Sequence, residues 1–172
     1  MGKKETMERA YALAYEFEQK YGACSQCVLA ALQDTLGGID NEVFRAAHAL
    51  AGGAAKTGRG TCGALAGGMM AISAWYGRER ANFETVRSTD APDLTKILYD
   101  RFVDEFGSPI CAGVQETVFG RPFNFWDPEE RQAFEEAGGH EDKCPNVAGK
   151  AAMWTAEILL EAASEPESLQ AG

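Results

Sequence analysis

From Gly60 to Gly77 the chain runs 18 residues without a charge, and that stretch restricts the possible folds more than any other. A segment so apolar either crosses a membrane or lies wrapped by other elements. Five glycines interrupt it, together with Thr61, Ser73, Trp75 and Tyr76, so it reads as a buried core helix from Cys62 to Tyr76, ended by Gly77. Its entry, Gly58-Arg59-Gly60-Thr61-Cys62-Gly63, places one cysteine where a glycine-rich loop turns into the helix.

A core helix needs neighbours, and 172 residues suffice for one domain with a real core. A composition of 45% hydrophobic and 24% charged residues belongs to a soluble globular chain. The net charge of -10 repels phosphate backbones and anionic bilayers, so neither nucleic acid nor membrane is an expected partner. The charged start, Met1-Gly2-Lys3-Lys4-Glu5-Thr6, has no signal-peptide apolar core, and a cytoplasmic location is expected. Gly2 and Thr6 match the short myristoylation pattern, as many unrelated chains do.

The rest of the chain reads as helices. Met7, Ala10, Leu13, Ala14, Phe17 and Tyr21 recur at helical spacing, predicting a helix from about Lys4 to Lys20 that Gly22 stops. A second starts near Ala23 with Cys24, Cys27, Val28, Ala31 and Thr35 on one stripe, and ends at Gly37-Gly38. Asp40 or Asn41 caps a third, with Val43, Phe44, Ala47, Leu50 and Ala51 inward and His48 beside them as core or surface filler. After the charge-free helix, Asp90-Ala91-Pro92 starts a helix with Leu94, Ile97, Leu98, Phe102 and Phe106 inward, ended by Gly107. Ser108-Pro109 opens the next, which holds Cys111, Val114 and Val118.

From Gly120 to Lys143 the composition shifts. Arg121 to Trp126 is aromatic and irregular, and Asp127-Pro128-Glu129-Glu130 is a strong helix start. The acidic helix that follows stops at Gly138-Gly139, and the stretch 121–143 reads as an insertion or lid with a solvated charged face. Cys144-Pro145 opens the last helix, with Val147, Ala148, Ala151, Thr155, Ile158 and Ala162 inward. The expected architecture is all-α, with about seven or eight helices in one domain over 1–163 and a frayed tail over 164–172.

The cysteines carry the chemistry. Cys24, Cys62, Cys111 and Cys144 each fall at or just inside a predicted helix start, where partial positive charge and free N–H groups lower thiol pKa values and favour anions. Convergence of those starts would make a pocket for thiolates or for a thiolate-ligated cluster. Cys24 and Cys27 lie on one helical face, spaced for shared metal ligation or a disulfide, although Cys27 also suits a small apolar position. Five cysteines cannot pair completely within one chain, and in a reducing compartment such clusters are more often metal-binding or catalytic than stapling.

Zinc is one possible occupant, but structural zinc sites usually have two close Cys-x-x-Cys knuckles and only one close pair exists here. Iron–sulfur clusters accept widely spaced ligands, and their sulfides accept backbone hydrogen bonds of the kind the loop around Gly60 and Gly63 can give. Lys56 and Arg59 could offset the charge of such a site, or be ordinary surface residues. His140 reads as a solvated loop histidine rather than an extra ligand. The P-loop order Gly-x-x-x-x-Gly-Lys-Ser/Thr is missing around Lys56, which removes a nucleotide triphosphate site. A metal-free dithiol enzyme working through Cys24 and Cys27, or through Cys62 and a distant partner, is the second reading. No thioredoxin-like βαβ context supports that fold.

At these residues the chain resembles the redox-active protein family named for its C_GCAxxG_C_C cysteine pattern. The resemblance is carried by Cys24 before an apolar helix, by Gly60-Thr-Cys62-Gly-Ala-Leu-Ala-Gly67, by Cys111 after a Phe-Gly-Ser turn, and by Cys144-Pro before the last helix. It spans about Tyr11 to Leu160. It implies a small helical protein of anaerobic prokaryotes with a redox role, akin to the iron–sulfur-binding domain attached to split-Soret cytochromes. A cluster-ligand role then passes to Cys24, Cys62, Cys111 and Cys144. Cys27 departs from the pattern, as a fifth ligand or a neutral replacement, and 121–143 is longer than the pattern needs. Without Cys-x-x-Cys-His the chain attaches no c-type haem. The expectation is an iron–sulfur or related cluster protein for electron transfer, with a protein redox partner and, by analogy and aromatic content, a homodimer. The alternatives are the dithiol enzyme and a zinc-stabilised helical interaction module.

Overall fold

The computed structural model describes residues 2–164. Among them are eight α-helices and no strand: α1 (Lys3–Tyr21), α2 (Cys24–Leu36), α3 (Asn41–Ala46), α4 (Gly63–Tyr76), α5 (Ala91–Phe106), α6 (Cys111–Phe119), α7 (Pro128–Glu136) and α8 (Cys144–Ser164). No helix among the described residues is long and apolar enough to cross a membrane.

The charge-free stretch forms α4, and its buried residues run around the helix from Gly63 to Ile72. It lies against α2, α5 and α8, while α8 also packs on α1 and α2. Two glycines set how closely these helices cross. A methyl group at Gly67 would stand 2.5 Å from the Ser25 carbonyl oxygen on α2, and one at Gly68 2.5 Å from Thr155 Oγ1 on α8. The core between them is filled by fully buried Val28, Leu29, Leu32, Leu65, Ile72, Leu98, Phe102 and Leu159, each contributing about 1.5–3 kcal/mol of burial.

Local signals place the helix ends. Gly22 and Gly107 stop α1 and α5 at φ of 63° and 72°. Asp127 caps α7, its Oδ1 accepting the Glu129 N–H at 2.9 Å, with Pro128 at the first turn.

Four boundaries or faces differ from the sequence reading. The third helix ends at Ala46, and His48–Leu50 tightens into a short 3₁₀ turn, because the residues from Gly52 onward take left-handed backbone. The sixth begins at Cys111 rather than Ser108, because Ile110 is held extended in an isolated bridge with Thr61 and the Pro109 carbonyl accepts the Cys62 N–H at 2.8 Å. Ile97 was expected inward but is 50% exposed, since α4 and α8 cover only the Leu98, Phe102 and Phe106 side of α5. After α7 the chain makes a π-helical turn, Gly139–Lys143, that the sequence did not announce. Ser164 closes α8, and the rest of the expected tail lies outside the described residues.

Candidate functional site

Four of the five thiols meet at one place. Cys24, Cys111 and Cys144 are the first residues of α2, α6 and α8, Cys62 caps α4, and all four line a single cavity of about 360 Å³. That volume far exceeds the ~10–15 Å³ that admits one water. The wall is completed by Glu18 and Tyr21 of α1, by Gly52 and Lys56, by Phe125, Arg131, Phe134 and Glu135 around α7, and by His140 of the π turn. Thus the stretch 121–143 is a wall of the site, and part of its charge faces inward.

Backbone N–H groups lie near two of the sulfurs, Gly52 beside Cys24 and Ala64 and Leu65 beside Cys62, although Cys62 makes no side-chain capping bond at the start of α4. Gln115 Nε2 donates to Cys111 Sγ at 3.3 Å, and its own Oε1 accepts the Phe123 N–H at 2.7 Å. Gly63 backs Cys24 closely: a Cβ there would lie 2.4 Å from Cys24 Sγ.

Burial outweighs the helix starts in setting the protonation of these thiols. The sequence reading expected lowered pKa values. Instead desolvation pushes Cys62 up to about 12 and raises Cys24, Cys111 and Cys144 as well. The N–H groups near Cys24 and Cys62 oppose this without reversing it. Without a cation the cavity therefore holds neutral thiols, which are poor nucleophiles.

Glu18 is the acid that sequence periodicity did not single out. It is 3% exposed, and its Oε2 is buried with no hydrogen-bond partner. Burial raises its pKa, opposed by a hydrogen bond from Cys27 and by His140. His140 links it to the surface, with Nε2 3.8 Å from Glu18 Oε1 and Nδ1 2.7 Å from Glu135 Oε1. The available signal was positional: Thr6, Ala10, Ala14 and Glu18 continue one buried four-residue step along α1.

One wall is strained. Gly52, Gly53, Ala54, Ala55 and Lys56 all have positive φ, between 48° and 73°. For the three non-glycine residues, left-handed backbone costs roughly 1–2 kcal/mol each, and such strain clusters at functional sites. The turn is held by Ala54 N–H to Leu50 O at 3.1 Å, Ala55 N–H to Ala49 O at 2.7 Å and Lys56 N–H to Ala51 O at 3.1 Å. Across from it, Trp126 Nε1 donates to the Ala55 carbonyl at 2.9 Å.

The other expected site residues fall into two groups. Lys56 and Gly63 border the site as described, and His140 and His48 line it rather than lying idle. Gly60 supports it from behind, its carbonyl accepting the Cys111 N–H at 3.0 Å. Arg59 is exposed and does not line the cavity. Cys27 is turned away from it: its thiol donates to the Gly22 carbonyl at 2.8 Å and contacts Glu18. Among the described residues no group of three or more His, Cys, Asp or Glu side chains is arranged to hold a metal ion.

The sequence model of one family, described as "Putative redox-active protein (C_GCAxxG_C_C)", matches residues 22–158, a span that starts later than the expected Tyr11. No curated protein and no solved structure matches the chain. The matched span takes in all five cysteines and every element bordering the cavity except α1, and on that match the chain belongs to the C_GCAxxG_C_C family.

Proposed function

We propose that the protein holds an iron–sulfur or related metal cluster through Cys24, Cys62, Cys111 and Cys144 and uses it for electron transfer. The observation that carries this reading is that the four helix-starting thiols line one cavity while Cys27 does not. The donor set suits the group in two further ways. Cluster-ligating sulfurs are commonly hydrogen-bonded; Cys111 already accepts one such bond, from Gln115, and backbone N–H groups lie near Cys24 and Cys62. Glu18, another residue of the cavity wall, carries a buried oxygen, Oε2, without a partner in the protein.

The thiols are neutral because they are buried, and a coordinating cation deprotonates a thiol outright. That favours metal ligation over a metal-free dithiol, which needs a thiolate to attack. A single zinc ion needs its donors grouped around one point, and these side chains are not so grouped. A multinuclear cluster spreads its ligands across a larger volume. When bound, the cluster supplies one-electron chemistry. The chain's residues anchor it, exclude water through Phe125, Phe134 and Val147, and donate N–H bonds to its ligands.

Anaerobic preparation or reconstitution, followed by visible absorbance and iron, sulfide and zinc analysis, tests this. The expected result is a brown protein with iron and sulfide, its colour lost in Cys62→Ser and kept in Cys27→Ser. Colourless, iron-free protein that loses two thiols on mild oxidation would overturn the reading in favour of the dithiol enzyme, and stoichiometric zinc in favour of a zinc module.

A further inference from the structure

Next to the thiol cavity lies a second, of about 510 Å³. The two share His48, Ala51, Lys56, Phe125 and Arg131, so the outer one adjoins the inner across these side chains. Its lining includes Arg45, Lys56 and Arg131 and no acidic side chain. In a chain with 16 Lys and Arg against 26 Asp and Glu, three cations without a lining carboxylate form a local reversal of charge. Among the described residues none of these three forms an ion pair, as is also true of Arg59, Arg78, Arg80, Arg87 and Lys143, but only these three line one cavity together.

The backbone is committed to this arrangement. Lys56 is the last of five consecutive residues at positive φ, a conformation that L-residues avoid and that persists only when its surroundings enforce it. Trp126 enforces it through the 2.9 Å bond to Ala55, and its ring, 71% exposed, stands in the same cavity. Cations repel one another, and with Lys56 set beside Arg45 and Arg131 by the left-handed turn, an anion joining them would relieve that repulsion.

We propose that the outer cavity is a binding site for a small anion bearing two or more negative charges on carboxylate or phosphate oxygens. Arg45 and Arg131 offer paired N–H donors that match either oxygen geometry, and Lys56 supplies a point charge between the two cavities. The ligand would sit beside the thiol cavity. The site is independent of what the thiols hold, because none of its cations needs a sulfur.

Calorimetric titration of the full chain with sodium citrate and with sodium pyrophosphate, in low-salt chloride buffer, tests it. Saturable one-to-one binding of at least one probe is expected, weakened tenfold or more in Lys56→Gln and in Arg131→Gln. The exposed Arg87→Gln should change the affinity less than twofold. Binding of citrate alone assigns carboxylates, and of pyrophosphate alone phosphates. No saturable binding of either probe overturns the proposal, as does equal weakening in all three variants, which would report net charge only. If Lys56→Gln loosens the turn, Arg131→Gln still decides, since Arg131 lies on α7 outside it. Measuring iron-loaded and metal-free protein side by side keeps this result separate from the cluster reading.

Discussion

Gly63→Ala isolates what the Thr-Cys-Gly-Ala order at the start of α4 is for. By helix propensity alone the change is favourable, by up to about 1 kcal/mol. The local geometry opposes it. The new Cβ would stand 2.4 Å from Cys24 Sγ, 3.1 Å from Ala51 Cα and 3.3 Å from the Leu50 carbonyl oxygen. The thiol can turn away, but the two backbone atoms belong to the segment that leads into the left-handed turn and cannot move alone. Overpacking of this kind costs about 1–3 kcal/mol, so a net loss of about 1 kcal/mol is expected. With a urea slope of about 2 kcal/mol per M, the unfolding midpoint drops by about 0.5 M. The displaced Cys24 should also react faster with a thiol reagent, and iron loading should fall. Gly2→Ala, with nothing within 4 Å of the added methyl, is the control. A Gly63→Ala protein more stable than the parent, with unchanged Cys24 labelling, would refute the reasoning, because propensity would then have outweighed packing.

Three further outcomes follow from the same structure. Cys62 stands at about 12 in the folded protein against an ordinary 9.0, so the unfolded chain releases that proton first. Metal-free protein should therefore lose stability as pH rises above about 9, by about 1.4 kcal/mol per pH unit for this thiol alone, and chemical denaturation at pH 8 and pH 10 will show it. Glu18 is likewise raised by burial, so its contribution is fully present below its ordinary 4.5 and is lost as pH rises through its folded value. Glu18→Gln should thus gain stability over the parent at pH 7 and not at pH 4; no difference between the two pH values would contradict this. Trp126→Phe removes the indole bond to Ala55 and should destabilise by about 0.5–1.5 kcal/mol, with faster amide exchange at Ala54 to Lys56 as the local signature.

The helices were legible because their signals are local. Four-residue apolar steps marked α1, α2, α5 and α8, and Gly22, Gly77 and Gly107 marked three ends within a residue. The convergence of Cys24, Cys62, Cys111 and Cys144 was also legible, since each falls at a helix start, where free N–H groups favour a thiolate or anion. What stayed hidden depends on distant partners. Ala54, Ala55 and Lys56 are good right-handed helix formers, and they are held left-handed by bonds to Ala49, Leu50 and Ala51, by Thr57 on the Ala54 carbonyl and by Trp126 from far along the chain. Glu18 looked like any charge on an amphipathic helix until the π turn after α7 brought His140 against it. Gln115 carries no sequence signal of its own; Cys111 and Phe123 become its partners only in the fold.

The disagreement over thiol pKa is the most informative of these. Helix starts leave N–H groups without intrahelical partners, and Cys62 sits where the Ala64 and Leu65 N–H groups point, yet its thiol is raised to about 12. A neutral thiol is only a weak acceptor, so in the metal-free state both partners are poorly served: the N–H groups lack a strong acceptor and the sulfur lacks compensation for lost water. A cation that turns the thiol into a thiolate relieves both together. On the cluster reading, loading must then release protons and stabilise the fold. Two measurable consequences follow: iron-loaded protein should melt well above the metal-free form, and competition with a chelator should shift toward the chelator as pH falls. Equal melting temperatures for the two forms would mean that iron binds elsewhere than among these buried sulfurs.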